Sequence, residues 1–96
     1  MEFYQKQGYA LLAQRMKTPF AEVDLLFRTP ENHVLMVEVK TANIEDFQAH
    51  RITLRQKKRL MRALLFLAEK LESLVEVHWA FVTKEGGVTI IENVSG

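Results

Sequence analysis

Asp24 and the tripeptide Glu38-Val39-Lys40 are the residues of this sequence whose types and spacing best suit chemistry. Two carboxylates brought to one point favour a hard divalent cation, because Mg²⁺ takes one or two carboxylates and fills its shell with water and substrate phosphate. Mn²⁺ would serve in the same way. Such an ion polarises a phosphoryl oxygen, lowers the pKa of a bound water and stabilises a leaving oxygen. A lysine two residues beyond one ligand stands close enough to orient or deprotonate that water. The combination points to phosphodiester hydrolysis, with Glu22 as an accessory carboxylate. The same residues also suit a plain solvated strand face, on which Glu22 and Lys40 would form an ion pair of little net value.

Which of these holds depends on the strands that carry them. Ala21 to Arg28 is rich in Val, Leu and Phe and runs into Thr29-Pro30-Glu31-Asn32, a turn signal, after which His33 to Thr41 reads as a buried strand. Side chains alternate along a strand, so Glu22, Asp24 and Leu26 share one face, and Val34, Met36, Glu38 and Lys40 share one face of the next. If Arg28 pairs with Val34 in an antiparallel register, the position numbers of partners sum to 62. That register sets Asp24 opposite Glu38 and Glu22 opposite Lys40. Opposed Cβ atoms lie roughly 4.5–5.5 Å apart and like charges there repel, which a bound cation would offset.

The remaining elements frame this pair. A short helical start precedes Tyr9 to Met16, whose mixed pattern fits strand or helix. Ala42 to Ile52 is polar and irregular and reads as a loop approaching the site. Leu60, Leu64, Leu67, Ala68 and Leu71 recur at helical spacing, predicting a long amphipathic helix from Thr53 to about Ser73. Thr53-Leu54-Arg55-Gln56 fits a capping box at its start. Gln56 lies near Leu60, Ala63 and Leu67 in angle, so it either caps the helix or reaches a phosphate or metal-bound water. Arg51, Arg55, Lys58, Arg59 and Arg62 fall on the other face, by default a solvated one; Arg51 and Arg55, nearest the helix start, are the candidates for phosphate contact. Val75 to Thr83 alternates, Glu85-Gly86-Gly87 turns, and Val88 to Val94 closes the chain's pattern. The expected order is β-β-β-α-β-β, an α/β (α+β) fold with a small mixed sheet packed against one long helix.

Composition bounds the rest. The chain has 96 residues, 48% of them hydrophobic, enough for one small core, so one domain over residues 1–96 is expected. With no cysteine, disulfides and thiolate zinc sites are excluded, and any metal must be held by oxygen or histidine. His33, His50 and His78 show no metal-binding spacing with one another. Neither a secretory signal nor an apolar stretch long enough to span a bilayer is present, which reads as a soluble, cytoplasmic protein without membrane contact. Net charge is only +1, so attraction to nucleic acid would come from local clustering such as that between Arg51 and Arg62.

Three stretches carry a resemblance: Gly8-Tyr9-Ala10-Leu11-Leu12, Pro19-Phe20-Ala21-Glu22-Val23-Asp24-Leu25-Leu26 and Met36-Val37-Glu38-Val39-Lys40-Thr41. With Ile52-Thr53-Leu54-Arg55-Gln56-Lys57-Lys58-Arg59-Leu60 and, more weakly, Ile91-Glu92-Asn93-Val94, they resemble the YraN family of small bacterial proteins, within the PD-(D/E)XK nuclease superfamily. The resemblance implies a restriction-endonuclease-like core and Mg²⁺- or Mn²⁺-dependent hydrolysis of nucleic acid, DNA first, in a setting such as repair or recombination. Asp24, Glu38 and Lys40 take the signature positions, with Gln56 where the family has a lysine. Other departures are Ala21 in place of a glycine, Ala42 in place of an arginine, and Val77-His78-Trp79 in place of an Arg-Phe-Asp pattern. The family's upstream glutamate has only Glu2 as a counterpart. These departures keep a second reading open, a nucleic-acid-binding or scaffolding module of the same fold without turnover. A homodimer is compatible with so small a domain, which offers little surface for gripping nucleic acid.

Overall fold

The computed structural model describes residues 2–41 and 53–92. The loop expected over Ala42 to Ile52, with His50 and Arg51, lies outside the described residues, as do Asn93 and Val94. The elements are α1 (Glu2–Gln5), β1 (Ala10–Lys17), β2 (Glu22–Arg28), β3 (Val34–Thr41), α2 (Leu54–Leu71), β4 (Val75–Val82) and β5 (Val88–Glu92). The five strands form one sheet in the order β1-β2-β3-β4-β5. Every neighbouring pair is antiparallel except β3 and β4, which run parallel. A parallel pair needs a long crossover, and α2 lies within it. This is the expected order of elements, and the ambiguous stretch after Gly8 resolves as the edge strand β1.

Helix α2 begins where its sequence says it should. Thr53 Oγ1 accepts a hydrogen bond from the Gln56 backbone N–H, and the Gln56 side chain accepts one from the Thr53 N–H, so both halves of the capping box are formed. At the other end Glu72 adopts a left-handed conformation, φ 50°, and its N–H caps the carbonyls of Ala68 and Glu69. Leu60, Ala63 and Leu67 form the buried stripe of the helix. They pack with Val23, Leu26, Val34, Met36, Val77, Trp79 and Phe81 of the sheet into the larger core.

The sheet's other face holds a smaller core of Tyr4, Phe27, Leu35, Val37 and Ala80. Strand β3 is therefore covered on both sides from Val34 to Val37, all fully buried, which is why its sequence there is a run of apolar residues without alternation. Tyr4 anchors α1 against this face. Its ring packs on Phe27 and its hydroxyl is hydrogen-bonded to His78 Nδ1 at 3.0 Å. Burial holds the Tyr4 hydroxyl above the ordinary phenol range and pushes His78 below the ordinary imidazole range, so the pair is neutral at pH 7.

Strict alternation fails on β2. Val23 and Leu26, three positions apart, both enter the helix-side core. Between the β1–β2 partners Gln14–Leu25 and Met16–Val23, Arg15 and Asp24 drop out of the ladder, and Arg15 takes the left-handed φ of 49°. A non-glycine residue with positive φ inside a strand is a costly local conformation. Here it coincides with the break in alternation beside Asp24.

Candidate active site

Four β2–β3 partners are Arg28–Val34, Phe27–Leu35, Leu26–Met36 and Leu25–Val37, in the expected register. The backbone ladder stops there, one step short of Asp24 and Glu38. Side chains take over its work. The Asp24 N–H donates to Glu38 Oε2 at 2.9 Å, and the Val39 N–H donates to Asp24 Oδ2 at 2.9 Å. Each carboxylate thus accepts a backbone donor of the facing strand, a charge-assisted bond that offsets their mutual repulsion. Asp24 Oδ1 and Glu38 Oε1 take no part in either bond.

Glu38 is mostly withdrawn from water, and burial pushes its carboxyl up to about 7, against the downward pull of the Asp24 N–H. The neighbouring Asp24 charge adds to the rise, Lys40 opposes it, and Glu22 adds a little more. A carboxyl in this condition gains from a nearby cation.

Glu22, Asp24, Glu38, Lys40, Gln56 and Arg59 line one cavity of about 230 Å³, closed on the apolar side by Leu60 and Trp79. β2 and β3 supply the carboxylates and the lysine; α2 supplies the amide and the guanidinium. Ala21 also lines this cavity. Lys40 Nζ sits 5.6 Å from the centroid of the Trp79 ring, a cation–π arrangement that holds the ammonium beside the carboxylates. The Glu22–Lys40 ion pair is not formed among the described residues: Glu22 is exposed and is the β1–β2 ladder partner of Lys17.

Gln56 serves as the capping residue and lines the cavity at once. Its Oε1 is engaged with the Thr53 N–H, while Nε2 is not part of that bond, so capping does not prevent the amide from donating to a ligand. Arg59 corrects the expected division of the helix. By charge it belongs on the solvated face, yet it lines the cavity, because it follows Gln56 by three residues and so lies above it on the same side of the helix. That spacing was the available signal. Arg55 is exposed and lies outside this cavity, bordering a groove with Leu54, Lys58, Arg59 and Arg62. Arg51 is outside the described residues. Glu2 does not line the cavity either, since α1 is anchored through Tyr4 in the core on the other face of the sheet.

Among the described residues no three His, Asp or Glu side chains converge as a ready metal cage. The donor set is two carboxylates with one oxygen each uncommitted. That set fits an ion which binds one or two carboxylates and keeps several waters or substrate oxygens, as Mg²⁺ does, and fits poorly one that needs a full protein shell.

A family model described as "Uncharacterised protein family UPF0102" matches residues 1–89. Among curated relatives, a UPF0102 protein of Rhodopseudomonas palustris is 37% identical over 62 residues, which cover 65% of this chain and 47% of that protein. One from Bradyrhizobium diazoefficiens is 36% identical over 61 residues, 64% of this chain and 45% of its own length. A third, from Parvibaculum lavamentivorans, is 39% identical over 61 residues with the same coverages, 64% and 45%. The match thus spans somewhat under half the length of each relative. Among solved structures, a chain of the EndoMS–dsDNA2 complex superposes with a TM-score of 0.52 at 17% identity, covering 81% of this chain and 30% of that one. The shared fold is the restriction-endonuclease-like core, a mixed sheet flanked by one long helix. No described helix is long and apolar enough to cross a membrane.

Proposed function

The chain belongs to the UPF0102 family, the YraN family, and from that premise we propose that it is a metal-dependent nuclease that hydrolyses phosphodiester bonds of nucleic acid, DNA first. The observation that carries the reading is the reciprocal pair of Asp24 and Glu38, held by each other's strands in the lining of a cavity that Lys40, Gln56 and Arg59 also line. Asp24 and Glu38 would hold Mg²⁺ or Mn²⁺ through the oxygens they leave uncommitted. When bound, that ion supplies charge to a phosphoryl oxygen and acidifies water. Lys40, kept beside Glu38 by the Trp79 ring, orients the attacking water through its ammonium. The Gln56 Nε2 donates to a nonbridging phosphate oxygen or to the water. Leu60 and Trp79 exclude bulk solvent from the cavity's inner wall, which strengthens each of these contacts. Double-stranded DNA accompanies the structurally similar EndoMS chain, which favours DNA as the polymer.

The test is incubation of single-stranded, duplex and branched DNA with the protein and Mg²⁺ or Mn²⁺. Cleavage that disappears in Glu38→Gln and Lys40→Ala supports the assigned roles; cleavage that survives both removes them.

One observation favours a second reading, a binding or scaffolding module without turnover. The two carboxylates already have structural work, each replacing a lost rung of the ladder. Calorimetric titration with Mn²⁺ separates the two, because a module whose carboxylates serve only the sheet binds no Mn²⁺ through Asp24 and Glu38.

A further inference from the structure

Arg59 belongs to two concavities at once. It lines the carboxylate cavity, and it also borders an open groove of about 410 Å³ on the outer side of α2, with Leu54, Arg55, Lys58 and Arg62. Arg55, Lys58, Arg59 and Arg62 stand three, four and seven residues apart, so they form one continuous band of positive charge. Like charges at those spacings repel one another. Among the described residues none of the four has an ion pair or a side-chain hydrogen bond, the first turn of α2 has no acidic residue, and only Arg59 shares a cavity with carboxylates.

All four are exposed, with Arg59 at the junction. At 1.5 Å per residue, Arg55 to Arg62 spans roughly 10 Å, the reach of two to three successive backbone phosphates. An exposed basic helix face is ordinarily just solvated. Its continuity with the carboxylate cavity through a shared arginine, and the absence of an ion pair at any of its four cations, argue for a ligand instead.

We infer that this face of α2 is a phosphate track: Arg55, Lys58 and Arg62 hold the nucleic-acid backbone outside the cavity, and Arg59 holds the next phosphate at the cavity that Asp24 and Glu38 line. The inference rests on the nuclease reading for the direction of the strand, but the track binds with or without turnover. Its contacts are to phosphate, so it carries no base preference and binds through counterion release. Four such contacts make affinity for duplex DNA fall roughly 150-fold between about 50 and about 200 mM salt.

The test is fluorescence anisotropy with a labelled DNA oligonucleotide of about 20 nucleotides, single-stranded and duplex, across a salt series in EDTA, where no cleavage occurs. The wild type should bind both forms with strong salt dependence. Arg55→Ala, Lys58→Ala, Arg59→Ala and Arg62→Ala should each lower the slope of log affinity against log salt by about one. Lys84→Ala, on the exposed β4–β5 turn, removes equal charge and should leave the slope unchanged. Circular dichroism checks that each variant keeps its helix. Wild-type binding with unchanged slopes in the four helix variants overturns the track while leaving the nuclease reading intact. An equal loss in Lys84→Ala would show general charge attraction and also overturn it, as would failure of the wild type to bind either form. Should Glu38→Gln bind as tightly as wild type while cleavage is absent from both, the track stands and the nuclease reading falls.

Discussion

Strands β2 and β3 are joined in two different ways along one length. From Leu25 to Arg28 they share a backbone ladder with Val34 to Val37, and the residues of β3 there are fully buried. Beyond Leu25 the ladder ends and carboxylates stand in for carbonyls, with Glu38 mostly withdrawn from water and Val39 exposed. The first arrangement is rigid and commits every backbone group. The second keeps the strands together while leaving one oxygen of each acid open to a ligand. A single strand pair therefore supplies both the anchor and the site, and the rigidity of one end positions the other.

The largest effect should come from breaking the anchor. Phe27 is fully buried in the smaller core, so Phe27→Ala should cost about 3–5 kcal/mol of stability in urea denaturation. A loss under about 1 kcal/mol would mean that this end does not hold the strands.

Next is the open end. Glu38→Gln keeps an amide oxygen for the Asp24 N–H but removes the charge, so the fold should persist while Mn²⁺ affinity, read by calorimetry, falls by more than the roughly 10–100-fold that loss of an outer partner costs. An unchanged affinity would assign these acids to the sheet alone.

The same substitution sharpens the comparison through pH. The Glu38 carboxyl is raised from its ordinary 4.5 to about 7 in the fold, mainly by burial. A raised acid contributes stability that is fully present below pH 4.5 and is lost as pH rises through about 7. Relative to Glu38→Gln, the metal-free wild type should therefore lose stability between those values, and its Mn²⁺ affinity should climb over the same window as the proton leaves. Parallel stability curves for the two proteins would refute the burial of this group.

The smallest effect concerns the helix that completes the cavity. Thr53→Ala removes half the capping box and should cost about 1 kcal/mol in denaturation. It should leave Mn²⁺ affinity unaltered, because neither carboxylate depends on α2.

The sequence revealed local rules better than their local exceptions. The spacing of Leu60, Leu64 and Leu67 and the Thr53–Gln56 box located α2, since both depend on residues within a turn or two. The short loop between Arg28 and Val34 fixed the register and so the neighbourhood of Asp24 and Glu38. What could not be read was the replacement of ladder bonds by side chains, because alternation assumes an unbroken strand. The left-handed Arg15 gives no warning in composition, since no glycine or asparagine marks it. Tyr4 against His78 joins residues seventy-four positions apart, beyond any periodicity. Arg59 follows Gln56 by three residues, so helical spacing carries it to the cavity side, whereas its charge alone points to solvent.

The parallel pairing of β3 with β4 has a consequence for how the site is assembled in time. Its partners, from Val34–Val75 to Thr41–Val82, are forty-one residues apart, whereas Asp24 and Glu38 are fourteen apart. Closing the shorter loop loses less chain entropy, so the β1-β2-β3 meander can form its contacts early, while the β3–β4 seam must wait for the intervening chain to be gathered in. The acids meet first. The cavity wall that Gln56 and Arg59 provide is a late product of folding, and a slow or strained docking of α2 would leave the carboxylate pair formed but open on its helical side.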